Sequence, residues 1–163
     1  MAISAYLKSI REKVGHDLLF VPAVSAIIFN DAGEVLLHQS SDDGNWYTIG
    51  GAMDPGEEPA EACVREALEE TGLRVVPERI VSVHTSPPVT YANGDRIMYV
   101  GIAFRCRIVG GMLRVGDDES LDVRYFPIGH LPPLREDQRL RVLKAVELGD
   151  DGPTYFVRPQ DCA

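Results

Sequence analysis

Glu66, Glu69 and Glu70 stand at i, i+3 and i+4, so on a helix their carboxylates share one face. No Lys or Arg follows them within the segment that ends at Leu73, and Arg65 is the one base beside them there. Like charges at this spacing destabilise an isolated helix by about 0.2–0.5 kcal/mol per pair. A hard divalent cation would offset that repulsion. Mg²⁺ and Mn²⁺ take oxygen ligands from a few carboxylates and leave coordination positions for substrate phosphates.

The residues around the acids read as a built site. Residues 46–49 are apolar or β-prone, Gly50 and Gly51 interrupt them, and Asp54-Pro55-Gly56 is a turn signal. Pro59 suits the first turn of a helix, and Gly72 sits where its C-cap is expected. Between them Ala60, Cys63, Val64, Ala67, Leu68 and Thr71 recur at helical spacing and predict the buried stripe. Glu58 and Glu61 complement the helix N-terminus.

From Gly51 to Leu73 the chain resembles the signature of the Nudix (MutT-like) hydrolases, with Gly51, Glu57, Arg65, Glu66, Ala67, Glu69, Glu70, Gly72 and Leu73 all in place. The resemblance implies an α/β/α sandwich, a mixed sheet between helices. It also implies an Mg²⁺-dependent enzyme, Mn²⁺ being an alternative, that hydrolyses the diphosphate linkage of a nucleoside diphosphate joined to another group. By position, Glu66 and Glu70 would be metal ligands and Glu69 a ligand or the base that orients water. The Gly50 carbonyl would complete the metal set, and a residue without a side chain suits such close approach. Arg65 and Glu57 would pair to hold the loop against the helix and orient the carboxylates. Family members often add an acid from a downstream loop. Here Asp117-Asp118-Glu119 occupies that place, and Glu119 is the residue expected to serve.

Substrate identity is less defined. Pro88 lies close to a proline position of ADP-ribose-cleaving members, and Tyr91 resembles a tyrosine of dinucleoside-polyphosphate hydrolases. Trp46, Tyr47 and Tyr91 could stack on a base, and His84 could line the site. Ile49 and His38 replace the proline and arginine common in the family. ADP-ribose or a nucleotide sugar is slightly favoured. A nucleoside-triphosphate pyrophosphohydrolase that removes oxidised nucleotides is the alternative, and a nucleotide-sensing module without turnover is a third reading.

The remaining chain must position these residues. Its 163 residues predict one domain, with an N-terminal helix in 1–16, a core over 21–148 and a tail over 149–163. Ile3, Tyr6, Leu7, Ile10 and Val14 predict an amphipathic helix rather than a targeting segment. Strands are expected at 24–29, entered through Pro22, and at 34–38, 46–49, 75–84, 97–108, 112–115 and 121–126. Asn30-Asp31-Ala32-Gly33 is a hairpin turn, Gly110-Gly111 a second turn, and 87–94 a Pro/Asn/Gly loop. Leu134, Leu140, Leu143 and Val146 predict a last helix.

A formal charge of −9 without a basic patch argues against nucleic acid, and no apolar run is long enough for a membrane span. Cys63, Cys106 and Cys162 form no zinc or redox spacing and fit a reducing, cytoplasmic setting. The partner expected is a small nucleotide, and a homodimer is the default assembly.

Overall fold

The structure, a computed structural model, describes residues 4–158. Ile3, Cys162 and the last part of the tail lie outside the described residues. Helix α1 spans Ala5–Val14, followed by strands β1 (Leu19–Ile28), β2 (Val35–Ser40) and β3 (Trp46–Thr48). Helix α2 (Pro59–Thr71) runs directly into β4 (Leu73–Thr85), then come β5 (Val89–Thr90), β6 (Arg96–Gly111) and β7 (Ser120–Phe126). A short 3₁₀ turn, Ile128–His130, leads to helix α3 (Glu136–Leu148).

The strands form two sheets. One is mixed, in the order β1-β6-β4 with the short β5 also on β6, β1 being parallel to β6 and β4 antiparallel. The other is antiparallel, in the order β3-β2-β7. They meet where the chain after β3 pairs with β1, through Ala26 N–H to the Ile49 carbonyl at 2.8 Å and Val24 N–H to the Gly51 carbonyl at 2.9 Å.

Alternation along β1 divides the interior between two helices. Val24, Ala26 and Ile28 pack with Ala62, Cys63 and Ala67 of α2. Ile27, of opposite parity, packs with Val142 and Ala145 of α3. Helices therefore cover opposite faces, as an α/β/α sandwich requires. Each fully buried Ile or Leu contributes about 1.5–3 kcal/mol, and Ile27, Ile28, Leu36, Leu37 and Ile49 are all fully buried. The Cys63 and Cys106 sulfurs lie 3.6 Å apart in this interior as free thiols.

Helix α2 has the ends expected of it. Pro59 opens it, the Glu58 N–H donates to Glu61 Oε2 at 3.0 Å, and Gly72 closes it in the left-handed conformation. Its buried face differs from the expected stripe. Ala62, Cys63, Ala67, Glu70 and Thr71 are buried, whereas Ala60 and Leu68 are exposed. The helix is rotated so that Glu70, rather than Leu68, faces the strands.

Three further expectations are corrected. Pro22 lies inside β1 instead of at its entrance. It belongs to the Val24 and Ala26 set, whose backbone groups face the 49–53 segment, so its missing N–H costs the β6 ladder nothing. Residues 112–115 form no strand, because Gly110 and Gly111 extend β6 and the next segment crosses the end of α2. There Arg114 N–H donates to the Thr71 carbonyl and Gly116 N–H to the Glu70 carbonyl, each at 3.0 Å. Finally, α3 turns Gln138, Arg141, Val142 and Ala145 inward and leaves Val146 exposed.

Candidate active site

The turn after β3 carries two glycines that nothing else can replace without movement. Gly50 has φ +141°, and a Cβ there would overlap the Val24 carbonyl oxygen. A Cβ on Gly51 would lie 2.6 Å from Glu66 Oε1. The missing side chains let the acidic face of α2 lie directly on this turn.

Arg65 ties helix to loop. Its Nε donates to Glu57 Oε1 at 2.6 Å and its Nη2 to Glu57 Oε2 at 3.0 Å, a two-point pair. Its Nη1 reaches Glu66 Oε1 at 2.8 Å and Glu69 Oε2 at 3.0 Å, and Nη2 also meets the Ala52 carbonyl at 3.3 Å. Glu57 is itself held by the Asp54 N–H at 2.9 Å. The hydrogen bond from Arg65 keeps the Glu57 carboxyl below its usual range.

Glu70 is only 3% exposed. Its Oε2 accepts the Gly50 N–H at 2.9 Å, and its Oε1 lies 3.6 Å from His38 Nε2. His38 Nδ1 is 3.0 Å from Ser120 Oγ, which links β2 to the start of β7 beside Glu119. Burial lowers the His38 pKa to about 4, so the ring is neutral. Burial also raises Glu66 to about 7, against the pull of Arg65. Burial, and then repulsion from Glu66, raises Glu70 well above the ordinary carboxylate range, with the Gly50 N–H opposing.

These carboxylates point apart. Glu66 lies against Gly51, Glu69 faces solvent on Arg65, and Glu70 turns inward; among the described residues no three acid, His or Cys side chains converge on one point. The donor set nevertheless suits a hard cation. Its donors are all oxygens, and full ionisation of the half-buried Glu66 and the buried Glu70 needs more positive charge than Arg65 alone supplies.

A cavity of about 450 Å³ opens from this turn. Gly50, Gly51, Glu70, His38 and Glu119 line it, and so do Tyr47, Tyr91, Tyr99 and His84. Glu57, Arg65, Glu66 and Glu69 stand behind the glycine turn and are absent from its lining. Two other candidates lie elsewhere. Trp46 packs edge-on against Phe126 with ring centroids 4.7 Å apart, and Arg124 covers it at 5.2 Å. Pro88 is exposed and does not line the cavity. Within the lining, Tyr47 donates to Asp43 Oδ2, and the Tyr91 and Tyr99 hydroxyls meet, each pair at 2.7 Å.

Leucine spacing does not reveal what α3 contributes. Arg135, Gln138 and Arg141 all line the cavity. Arg141 donates to Ser25 Oγ at 2.6 Å, His84 Nε2 at 2.6 Å and Asp137 Oδ2 at 2.9 Å. Because a guanidinium only donates, His84 Nε2 must accept and the ring proton sits on Nδ1. Burial, then the Arg141 charge, lowers the His84 pKa to about 4. The available sequence signal is Gln138 and Arg141 in step with Val142 and Ala145, polar groups on the inward face of a helix.

Residues 19–146 match the NUDIX domain, and the chain belongs to this family. It is 35% identical over 146 residues to the human 8-oxo-dGDP phosphatase NUDT18, an alignment covering 85% of this chain and 42% of that protein. The chain therefore spans about two fifths of that relative's length. It is 32% identical over 117 residues to an ADP-ribose pyrophosphatase of Methanocaldococcus jannaschii, covering 71% of this chain and 66% of the relative. The crystal structure of a UDP-X diphosphatase superposes with a TM-score of 0.68 at 22% identity, over 94% of this chain and 75% of that one, and shows the same fold. No helix among the described residues is long and apolar enough to cross a membrane.

Proposed function

We propose that this chain hydrolyses the diphosphate linkage of a nucleoside diphosphate joined to a further group, with Mg²⁺, or Mn²⁺ in its place, at the carboxylates of α2. The observation that carries this reading is the seating of Glu66 and Glu70 on the Gly50–Gly51 turn at one end of the cavity. Glu66, Glu69, Glu70 and the Gly50 carbonyl would hold the cation, which when bound supplies charge neutralisation at the phosphates and a more acidic water. Arg65, fixed by Glu57, sets the directions of Glu66 and Glu69. Glu69 is the most exposed of the three acids, with its side chain 52% accessible, and where it does not itself bind the cation it would be the group that orients the attacking water and takes its proton. Glu119, which lines the same cavity, would supply a further carboxylate.

The relatives' names include both an ADP-ribose and an 8-oxo-dGDP substrate. The Pro88 marker for ADP-ribose lies outside the cavity, so the leaving group is open between a sugar phosphate and a phosphate or pyrophosphate. Product analysis on ADP-ribose, diadenosine polyphosphates, nucleoside diphosphates, and normal and oxidised deoxynucleoside triphosphates separates these cases. The reaction reading requires Mg²⁺-dependent release of a mononucleotide from at least one of them. Binding without turnover across the whole panel would favour the sensing module instead.

A further inference from the structure

We propose that Gln138 and Arg135, at the start of α3, read the nucleobase in this cavity and select one that presents a carbonyl oxygen over the 6-amino edge of adenine. The proposal rests on the reading above in taking the ligand to be a nucleotide. Its basis is which polar atoms the fold has already used.

Gln138 is only 7% exposed. Its Oε1 accepts from the Thr48 backbone N–H at 3.1 Å and from Thr48 Oγ1 at 2.6 Å. A backbone N–H can only donate, so the atom facing it must be the amide oxygen. The amide is thus fixed, and its NH₂ group has no acceptor among the described residues while its side chain lines the cavity. Glutamine recognises adenine by using both ends of the amide, the oxygen for N6–H and the NH₂ for N7. Gln138 has only the donor end left.

Arg135 lies three positions earlier, on the same side of the helix start. Its Nε and Nη2 are held by the two oxygens of Asp137 at 2.5 and 2.8 Å. Its Nη1 has no acceptor among the described residues and remains available to a ligand. Two carboxylates of the same cavity are engaged by neighbours, Asp43 by Tyr47 and Asn45, and Asp95 by His16 and Asn93. The two uncommitted nitrogens, on Gln138 and Arg135, are both donors. Two donors match the O6 and N7 acceptors of a 6-oxopurine, the pairing that arginine makes with guanine. Adenine would turn its N6–H₂ donor toward one of them.

The site is also anchored to the chemistry. Thr48, which fixes Gln138, precedes Gly50 by two residues, and Gly50 N–H holds Glu70. Tyr47 and Tyr91 offer flat faces in the same cavity.

Inosine and adenosine nucleotides differ at the deciding edge and are a matched pair. Binding of IMP and AMP to the full chain is measured by titration calorimetry, both being monophosphates with no diphosphate bond to cleave. IMP is expected to bind about tenfold or more tighter, the scale of one specific base pairing. Gln138→Glu keeps an oxygen for Thr48 and replaces the NH₂ with an acceptor, so the ratio should fall to unity or reverse. AMP binding as tightly as IMP in the wild type, or an unchanged ratio in folded Gln138→Glu, would overturn the proposal. If the variant does not fold, the wild-type ratio alone decides. Preference for IMP in a chain that cleaves no diphosphate would leave the base assignment standing and refute the reaction.

Discussion

Gly51→Ala isolates one carboxylate from the rest of the fold. Gly51 does not occupy the left-handed region, so alanine suits its backbone, and the three nearest atoms a Cβ would meet all belong to the Glu66 carboxyl. Oε1, Cδ and Oε2 would lie at 2.6, 2.8 and 2.9 Å, where ordinary contact starts at 3.4 Å. The carboxylate must retreat by about 0.8 Å, the difference between 2.6 and 3.4 Å, and its 2.8 Å bond to Arg65 Nη1 is strained or lost. A misplacement near 1 Å costs about 10²-fold in rate where geometry controls the reaction. The stability loss should be small, because the displaced group ends a flexible side chain and Arg65 keeps its two bonds to Glu57. We expect less than about 1.5 kcal/mol for this partly exposed pair, or a few degrees in Tm. The assay is Mg²⁺-dependent turnover of whichever diphosphate the wild type cleaves, beside a urea unfolding curve. Gly50→Ala is the contrasting variant, since its Cβ would strike backbone and its φ is unsuited to a side chain. A Gly51→Ala enzyme within threefold of wild-type kcat/KM would refute the claim that the bare glycine sets the Glu66 position.

Gly116→Ala would drive a Cβ into the Glu69 carbonyl, lifting the loop before β7 and breaking the bonds from Arg114 and Gly116 to the end of α2. Two such bonds are worth about 2 kcal/mol together, and moving Glu119 with the loop should lower kcat in the same variant; an unchanged urea midpoint would contradict this. His84 gives a pH test outside the carboxylate cluster. Its folded pKa, about 4 against an ordinary 6.5, is depressed by burial and then by Arg141. Its contribution is therefore complete above pH 6.5 and lost as pH falls toward 4. The full difference would be worth about 3 kcal/mol, and partial exposure of the ring reduces it to about 1–2. His84→Gln, which can still accept from Arg141, should lose about that much less stability than wild type between pH 7 and pH 4; parallel stability profiles would contradict the assignment.

Local signals make α2 legible in the amino-acid sequence. Pro59, Gly72 and the glycine pair each act within a few residues, so the ends of the helix and the Arg65–Glu57 pairing follow from short-range chemistry. Its rotation is not legible, because apolarity favours Leu68 as the buried residue while the Gly50 N–H and His38 draw Glu70 inside. The same weakness hides the inward face of α3. Leucine spacing points to Leu140, Leu143 and Val146, yet the cavity wall buries Gln138 and Arg141, with Thr48 holding the Gln138 oxygen and Ser25 and Asp137 holding the Arg141 guanidinium. Residues 112–115 resemble a strand because β-branched and apolar residues follow two glycines. Their partners are helix-end carbonyls from Thr71 and Glu70, a long-range contact that no local pattern announces. Trp46 is ambiguous for a related reason: an aromatic near a strand end serves stacking or core equally well, and here Phe126 occupies its edge.

The central claim, that the buried acid of α2 works on a cation rather than merely bracing the Gly50 turn, is tested most directly by Glu70→Gln. The amide keeps the shape of the side chain and an oxygen for the Gly50 N–H, but removes the charge. Turnover at saturating Mg²⁺ should fall by at least about two orders of magnitude, the scale seen when a charge-stabilising group is removed from an active site. Near wild-type turnover by folded Glu70→Gln would contradict the assignment of Glu70 as a metal ligand.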